Sequence, residues 1–234
     1  MVRVDADEAQ RQLALLDQLV GHASHEMKGP LHVLLLACHL LETRLDRGEP
    51  IERANVEQIR RQVKRLNRQL EELLDFGRLR QQRVELAGEE LDLAGVVREV
   101  LAEFGKERAA DLKPQLPERA LVRADLLRTG EIVQQLMDNA LRFTPMGTPI
   151  EIGVARGKSQ TTLTVRDRGP GIPEGDRATL FESRAPEKMA RPGRIGLGLS
   201  LYIARSVAQL MGGDLEFSPV NPSGAEFRLK LPNS

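Results

Sequence analysis

The chain has 234 residues, 34 basic and 34 acidic side chains, 41% apolar residues and one cysteine, enough for one large core or two small ones and too apolar for a disordered chain. Zero formal net charge removes any global electrostatic case for nucleic acid or a membrane surface, and one cysteine makes neither an internal disulfide nor a thiolate zinc site. The longest uncharged run in the first helix is the 13 residues Gly29 to Leu41, short of the roughly 18 a membrane span needs, and the opening MVRVDADEAQ lacks an apolar signal core. The expectation is a soluble, reduced, cytoplasmic chain with no membrane span.

Composition changes near residue 83, from a helical stretch poor in Gly and Pro to one rich in both. Leu13, Leu16, Val20, Ala23 and Met27, then Leu31, Leu34, Cys38, Leu41 and Leu45, follow three-and-four spacing across Pro30, which is expected to bend the helix. Asp46-Arg47-Gly48-Glu49-Pro50 carries the signals of a helix end. Val56, Ile59, Val63, Leu66, Leu70 and Leu73 form a second seam. Two long helices with one stripe each predict an antiparallel hairpin that pairs with a second copy into a four-helix bundle, a homodimer through residues 8–82.

The remainder reads as α+β. It opens with an extended piece at Arg83 to Leu86 and a helix over Leu93–Glu107. Leu121-Val122-Arg123 is strand-like, and Asp125 caps a helix to about Arg142. Pro149–Ala155 and Thr161–Arg166 read as a hairpin, and a Gly/Pro-rich loop fills Asp167 to Gly175. Residues 176–196 are irregular. Leu197–Met211 reads as a helix stopped by Gly212-Gly213, before a closing hairpin of Asp214–Ser218 and Ala225–Leu231.

Four short motifs carry chemistry. His25-Glu26 precedes Pro30 on the first helix, where one ring nitrogen can attack phosphorus while a carboxylate takes the proton from the other. An exposed coiled-coil pair would look the same. Asn139 and Arg142 share a helical face, offering an amide oxygen for Mg²⁺ and a guanidinium for phosphate, although a helix end has the same residues. Asp167-Arg168-Gly169-Pro170-Gly171 follows a strand, so a carboxylate can accept from an exocyclic amine while two glycines admit a flat ring; a plain turn is the bland reading. Gly196-Leu197-Gly198 opens a helix, where main-chain N–H groups suit phosphates, or simple close packing.

In this order and spacing the four motifs resemble the H, N, G1 and G2 boxes of bacterial sensor histidine kinases, with Leu180-Phe181-Glu182 similar to the F box. The resemblance covers residues 10–232. It implies a dimerisation and histidine-phosphotransfer hairpin over 1–83, then a Bergerat-type α/β sandwich that binds ATP over 84–234. By position, His25 would be the phosphoacceptor and Glu26 its base, Asn139 a Mg²⁺ ligand, and Arg142 a phosphate contact. Asp167 would take the adenine amine, with Gly169 and Gly171 shaping its pocket. Gly196, Leu197 and Gly198 would admit the triphosphate under a lid spanning 182–196. The phosphoryl group would pass to an aspartate in the receiver domain of a response regulator, and the signal would come from an upstream sensor domain or partner protein absent from this chain. Four features depart from the family: Ser183-Arg184 stand where the F box commonly has a second aromatic, the lid is short, and two single positions differ. Gln135 stands where Asn is usual, and Gly29 lacks the side chain that orients water for dephosphorylating the regulator, which argues against phosphatase activity.

Two other readings compete. One is a non-catalytic phosphotransfer or scaffold protein with a degenerate ATP-binding domain, suggested by Gln135 and the thin F box. The other is an ATPase of the chaperone or topoisomerase kind, which Gln135 opposes because an amide is no base. Arg60, Arg61, Lys64, Arg65 and Arg68 read as a solvated face, or as a docking patch for an acidic regulator surface. His22, His32 and His39 read as flank residues and Cys38 as packing.

Overall fold

The structure, a computed structural model, describes residues 2–104, 106–182 and 198–234; the side chains of 2–19, His22, Lys106 and Glu107 lie outside that description. The described residues group into two units, one built on 2–82 with 182 and 198–200, the other on 83–181 and 201–234.

The first unit is the hairpin of α1 (Val2–Asp46) and α2 (Arg53–Arg80). The connection follows from the Gly48 signal. Gly48 takes φ +67 and donates to Leu45 O at 3.0 Å, while Glu49 N donates to Arg44 O at 2.9 Å. That pair of bonds satisfies carbonyls the helix end would otherwise leave open, and a left-handed residue there favours glycine. The α1 helix continues through Pro30. Only part of each apolar seam faces inward. Leu34, Cys38 and Leu41 are half-buried and Ala23 and Ala37 buried, whereas Val20, Leu31, Leu36, Leu40, Val56, Val63 and Leu70 are exposed.

The second unit is a two-layer α/β sandwich. Its five-stranded sheet runs β2 (Leu112–Gln115), β4 (Ile150–Arg156), β5 (Gln160–Arg166), β7 (Ala225–Pro232) and β6 (Asp214–Pro219), with β2 parallel to β4 and the other pairs antiparallel. A separate ladder pairs β1 (Glu89–Asp92) with β3 (Leu121–Ala124). Register explains the core. Ile152, Val165 and Phe227 align in one cross-strand row, and Val154, Leu163, Leu229 and Leu215 in the next, all buried on one face. The alternate positions Glu151, Arg166 and Glu226 lie on the other face. Helix α3 (Leu93–Glu103) packs on α5 (Leu126–Phe143), which packs on β5. Leu136 and Met137 of α5 are fully buried, each stabilising the fold by about 1.5–3 kcal/mol.

Five stretches differ from the sequence expectation. The first strand lies at Glu89–Asp92 rather than 83–86. The helix expected over 93–107 stops at Glu103, where Phe104 turns extended at φ −75, ψ 127, and a short α4 follows at Lys106–Ala109. Strand β2 carries Pro114, a residue that reads as a strand breaker and is tolerated here on the sheet edge. A four-residue helix, α6 (Glu174–Arg177), interrupts the expected irregular stretch. The last helix, α7 (Ser200–Leu210), begins after Gly198, whose φ of +68 does not fit a helix.

Candidate functional site

The carboxylate of Asp125 starts α5 by accepting from Arg128 N and from Ala87 N, both at 2.9 Å. At the other end of the helix sit the second motif's residues. Asn139 is half-buried, and its Oδ1 accepts from Gln135 Nε2 at 3.2 Å, so the family departure at 135 orients the amide one turn on. Arg142 lays its guanidinium over the Phe143 ring, 5.1 Å from the centroid.

Asp167 follows the last residue of β5 and is buried. Its Oδ1 accepts from Gly169 N at 2.8 Å and Ala225 N at 3.3 Å. Burial pushes the carboxyl above its usual range, and those two N–H groups oppose the shift. Both main-chain bonds fall on Oδ1, so Oδ2 keeps acceptor capacity for a ligand donor. The glycines are sterically required. A Cβ at Gly169 would sit 2.7 Å from Phe143 O, and Gly171 combines φ +72 with a carbonyl 2.8 Å from any Cβ, that of Gly224. The last turn of α5 and the loop after β5 therefore meet at Phe143 and Gly169.

Gly224, in the turn between the two closing strands, is a further contributor that none of the four motifs includes. It takes φ +137, and a Cβ there would collide with the main-chain carbonyl of Asp167. The signal was its place in Asn221-Pro222-Ser223-Gly224, but nothing in the spacing linked that turn to Asp167. Of the fourth motif, Gly196 and Leu197 lie outside the described residues, as do Ser183, Arg184 and the proposed lid beyond Glu182. Phe181 lies under the guanidinium of Arg205 at 4.9 Å, and Arg205 also holds Asp214 at 2.8 and 3.1 Å.

His25 and Glu26 belong to the other unit. His25 is exposed on α1. Glu26 is half-buried, with Arg65 of α2 4.0 Å from its carboxylate. Gly29 has open space where a Cβ would stand, and Pro30 is buried. His32 and His39 are exposed.

Two family models match the chain. One, the His Kinase A (phospho-acceptor) domain, covers residues 15–82; the other, the histidine kinase-, DNA gyrase B- and HSP90-like ATPase, covers 124–234. The chain belongs to the sensor histidine kinases, as their catalytic core. It is 30% identical to the signal transduction histidine-protein kinase AfsQ2 of Streptomyces coelicolor over 97% of this chain and 43% of that one. It is 27% identical to the adaptive-response sensory kinase SasA of Synechocystis over 99% of this chain and 63% of that one. It therefore spans only about half the length of these relatives. The structure of the histidine kinase AdeS of Acinetobacter baumannii shares the fold, with a TM-score of 0.65, 24% identity, and coverage of 89% of this chain and 97% of that one. In this kinase core two N-terminal helices come first and a mixed-sheet α/β ATPase domain follows.

Proposed function

We propose that this chain is an ATP-dependent protein-histidine kinase that phosphorylates its own His25 and passes the phosphoryl group to an aspartate of a response-regulator receiver domain. The observation that carries the ATP reading is Asp167, a buried carboxylate aimed by two main-chain donors on one oxygen, with the other left to accept from an adenine amine. Gly169, Gly171 and Gly224 keep side chains off that loop. Gly196, Leu197 and Gly198 admit the triphosphate, and Arg142 leaves the Phe143 ring to contact it.

Among the described residues no group of three His, Cys, Asp or Glu could cage a metal. That fits Mg²⁺, which takes one or two protein ligands and fills its octahedron with phosphate oxygens and water. Asn139 Oδ1, already oriented by Gln135, keeps a second lone pair for it. When bound, Mg²⁺ offsets charge on the phosphates. The chain's own work is placement. His25, exposed on α1, attacks the γ-phosphorus through one ring nitrogen; the bond to the β-phosphate oxygen breaks and ADP departs. Glu26 takes the proton from the other nitrogen, and Arg65 beside it holds that carboxylate against α2.

The two-helix unit dimerises through residues 8–82, residues 1–83 and 84–234 act as the two domains, and the core works in the cytoplasm under a sensor domain or partner. Among the described residues no helix is long and apolar enough to cross a membrane. The test is incubation with Mg²⁺ and γ-labelled ATP. Acid-labile, alkali-stable label that vanishes in His25→Ala is expected. Nucleotide binding with no label would favour the scaffold reading, and steady hydrolysis that survives His25→Ala would favour an ATPase of another kind.

A further inference from the structure

Helix α5 ends two residues before a proline. The carbonyl of Leu141 would ordinarily accept from the N–H four residues on, but that residue is Pro145, which has none. The Leu141 carbonyl is satisfied from outside the helix. Arg108, on the short α4, donates through Nη1 to Leu141 O at 3.1 Å and through Nη2 to Thr144 O at 3.1 Å. Its Nε donates to Asp111 Oδ2 at 2.7 Å, and the same carboxylate oxygen accepts from Gly147 N at 3.2 Å. Asp111 O also accepts from Ile150 N, the first residue of β4, at 2.9 Å. One guanidinium thus grips the segment 141–144 on its carbonyl side while its carboxylate partner holds the far side of the turn.

Between the two gripped carbonyls lies Phe143 O, the atom that a Cβ on Gly169 would meet at 2.7 Å. Gly169 N in turn donates to Asp167 Oδ1. We propose that Arg108 is a positioning residue for the nucleotide: by fixing Leu141 O and Thr144 O it sets Phe143 against the Gly169 loop, and so sets the aim of Asp167. The inference rests on the ATP reading above. Phe143 O comes so near Gly169 that no side chain fits between them, so a displacement of 141–144 is felt by the loop that carries the base acceptor. A partly buried ion pair with an apolar alternative is weak evidence of a stabilising role, because such pairs are often replaceable at little cost. A fork that reaches two carbonyls and a carboxylate at once is a geometric device, and lysine cannot reproduce it.

The test compares the full chain with Arg108→Ala and Arg108→Lys. Three quantities are read: the equilibrium affinity for ADP and ATP by calorimetry, the split of KM for ATP against kcat in the labelling reaction, and the nucleotide-free melting temperature. We expect Arg108→Ala to bind ATP about tenfold more weakly, the loss of a charge-assisted bond at the site's edge, with kcat at saturating ATP nearly unchanged. Arg108→Lys, which keeps the charge and reaches one carbonyl, should fall between. A lower melting temperature with parental affinity in both variants, measured well below the transition, overturns the assignment, because a purely structural residue would behave that way. Should Arg108→Ala fail to fold, Arg108→Lys decides alone, and parental affinity and KM in it overturn the assignment. A parent chain that binds no nucleotide overturns the ATP reading and this inference with it; a parent that binds while both variants match it overturns only the inference.

Discussion

Asp167 shows how a single side chain can be both costly to the fold and necessary to the site. Burial raises its carboxyl above the usual 3.8, and the N–H groups of Gly169 and Ala225 recover only part of the shift. A raised folded-state value means the folded chain binds the proton more tightly than the unfolded one. The stability tied to that proton is present below the unfolded value and lost as pH rises through the folded one. When ionised, the group is therefore a cost to the nucleotide-free domain, offset when a ligand amine bonds to Oδ2. Asp167→Asn keeps the Oδ1 acceptor, removes the buried charge and places an N–H where the ligand's own N–H must come. Its nucleotide-free melting temperature should match or exceed the parent's, while ATP affinity drops about 10- to 100-fold, the range for losing a bond to a charged group. Melting curves with and without ADP, together with equilibrium binding, check both halves. Unimpaired binding would take Asp167 out of its role.

Helix α2 shows where pattern reading reaches its limit. The seam Val56, Ile59, Val63, Leu66, Leu70, Leu73 is legible, but periodicity does not say which half turns inward. In the structure Ile59, Leu66 and Leu73 are half-buried, Val56, Val63 and Leu70 are exposed, and the most buried positions are Gln69 and Phe76. Asn55, Gln62 and Gln69 recur every seven residues, share a face, and have buried amide atoms with no hydrogen-bond partner. A polar row inside a helical hairpin is invisible to a search for apolar ones. Elements with a local chemical cause were legible: Asp125 as a cap, the Gly48 helix end, the paired strands β4 and β5. Those decided by tertiary neighbours, such as β2 with its Pro114 and the contact of Gly224 with Asp167, were not. Glu72 on this helix is pushed up from 4.5 to about 7 by burial, with Arg68 pulling it back. The associated stability is fully present below about pH 4.5 and fades as pH rises to 7, by up to about 3 kcal/mol. Glu72→Gln, of the same shape without the charge, should raise the unfolding midpoint of the helical unit at pH 7.5 and leave it unchanged at pH 4. A variant that melts identically at both would show that Glu72 is solvated.

At the scale of the molecule the hairpin is unfinished. Among its described residues the buried positions are Ala23, Pro30, Ala37, Gln69 and Phe76, one large apolar side chain among them, while Leu36 on α1 is 70% exposed and Val63 and Leu70 on α2 are each 49% exposed. Apolar residues on both helices facing water do nothing for a single chain and would become a core if two hairpins packed, so a second copy would supply the burial that one chain lacks. Val63 and Leu70 are seven residues apart and so lie on one face, which two-fold symmetry would bring to its own copy. Val63→Asp with Leu70→Asp puts four carboxylates into that core per dimer, each desolvated without a partner. Light scattering on the eluting peak should then give the mass of one chain where the parent gives two. ADP affinity should stay at the parental value, because Asp167, Gly169 and Phe143 all belong to the other unit. A doubly substituted chain that still runs at twice the monomer mass would place the dimer interface elsewhere. One that becomes monomeric and also loses ADP would show that the nucleotide site is completed only by assembly.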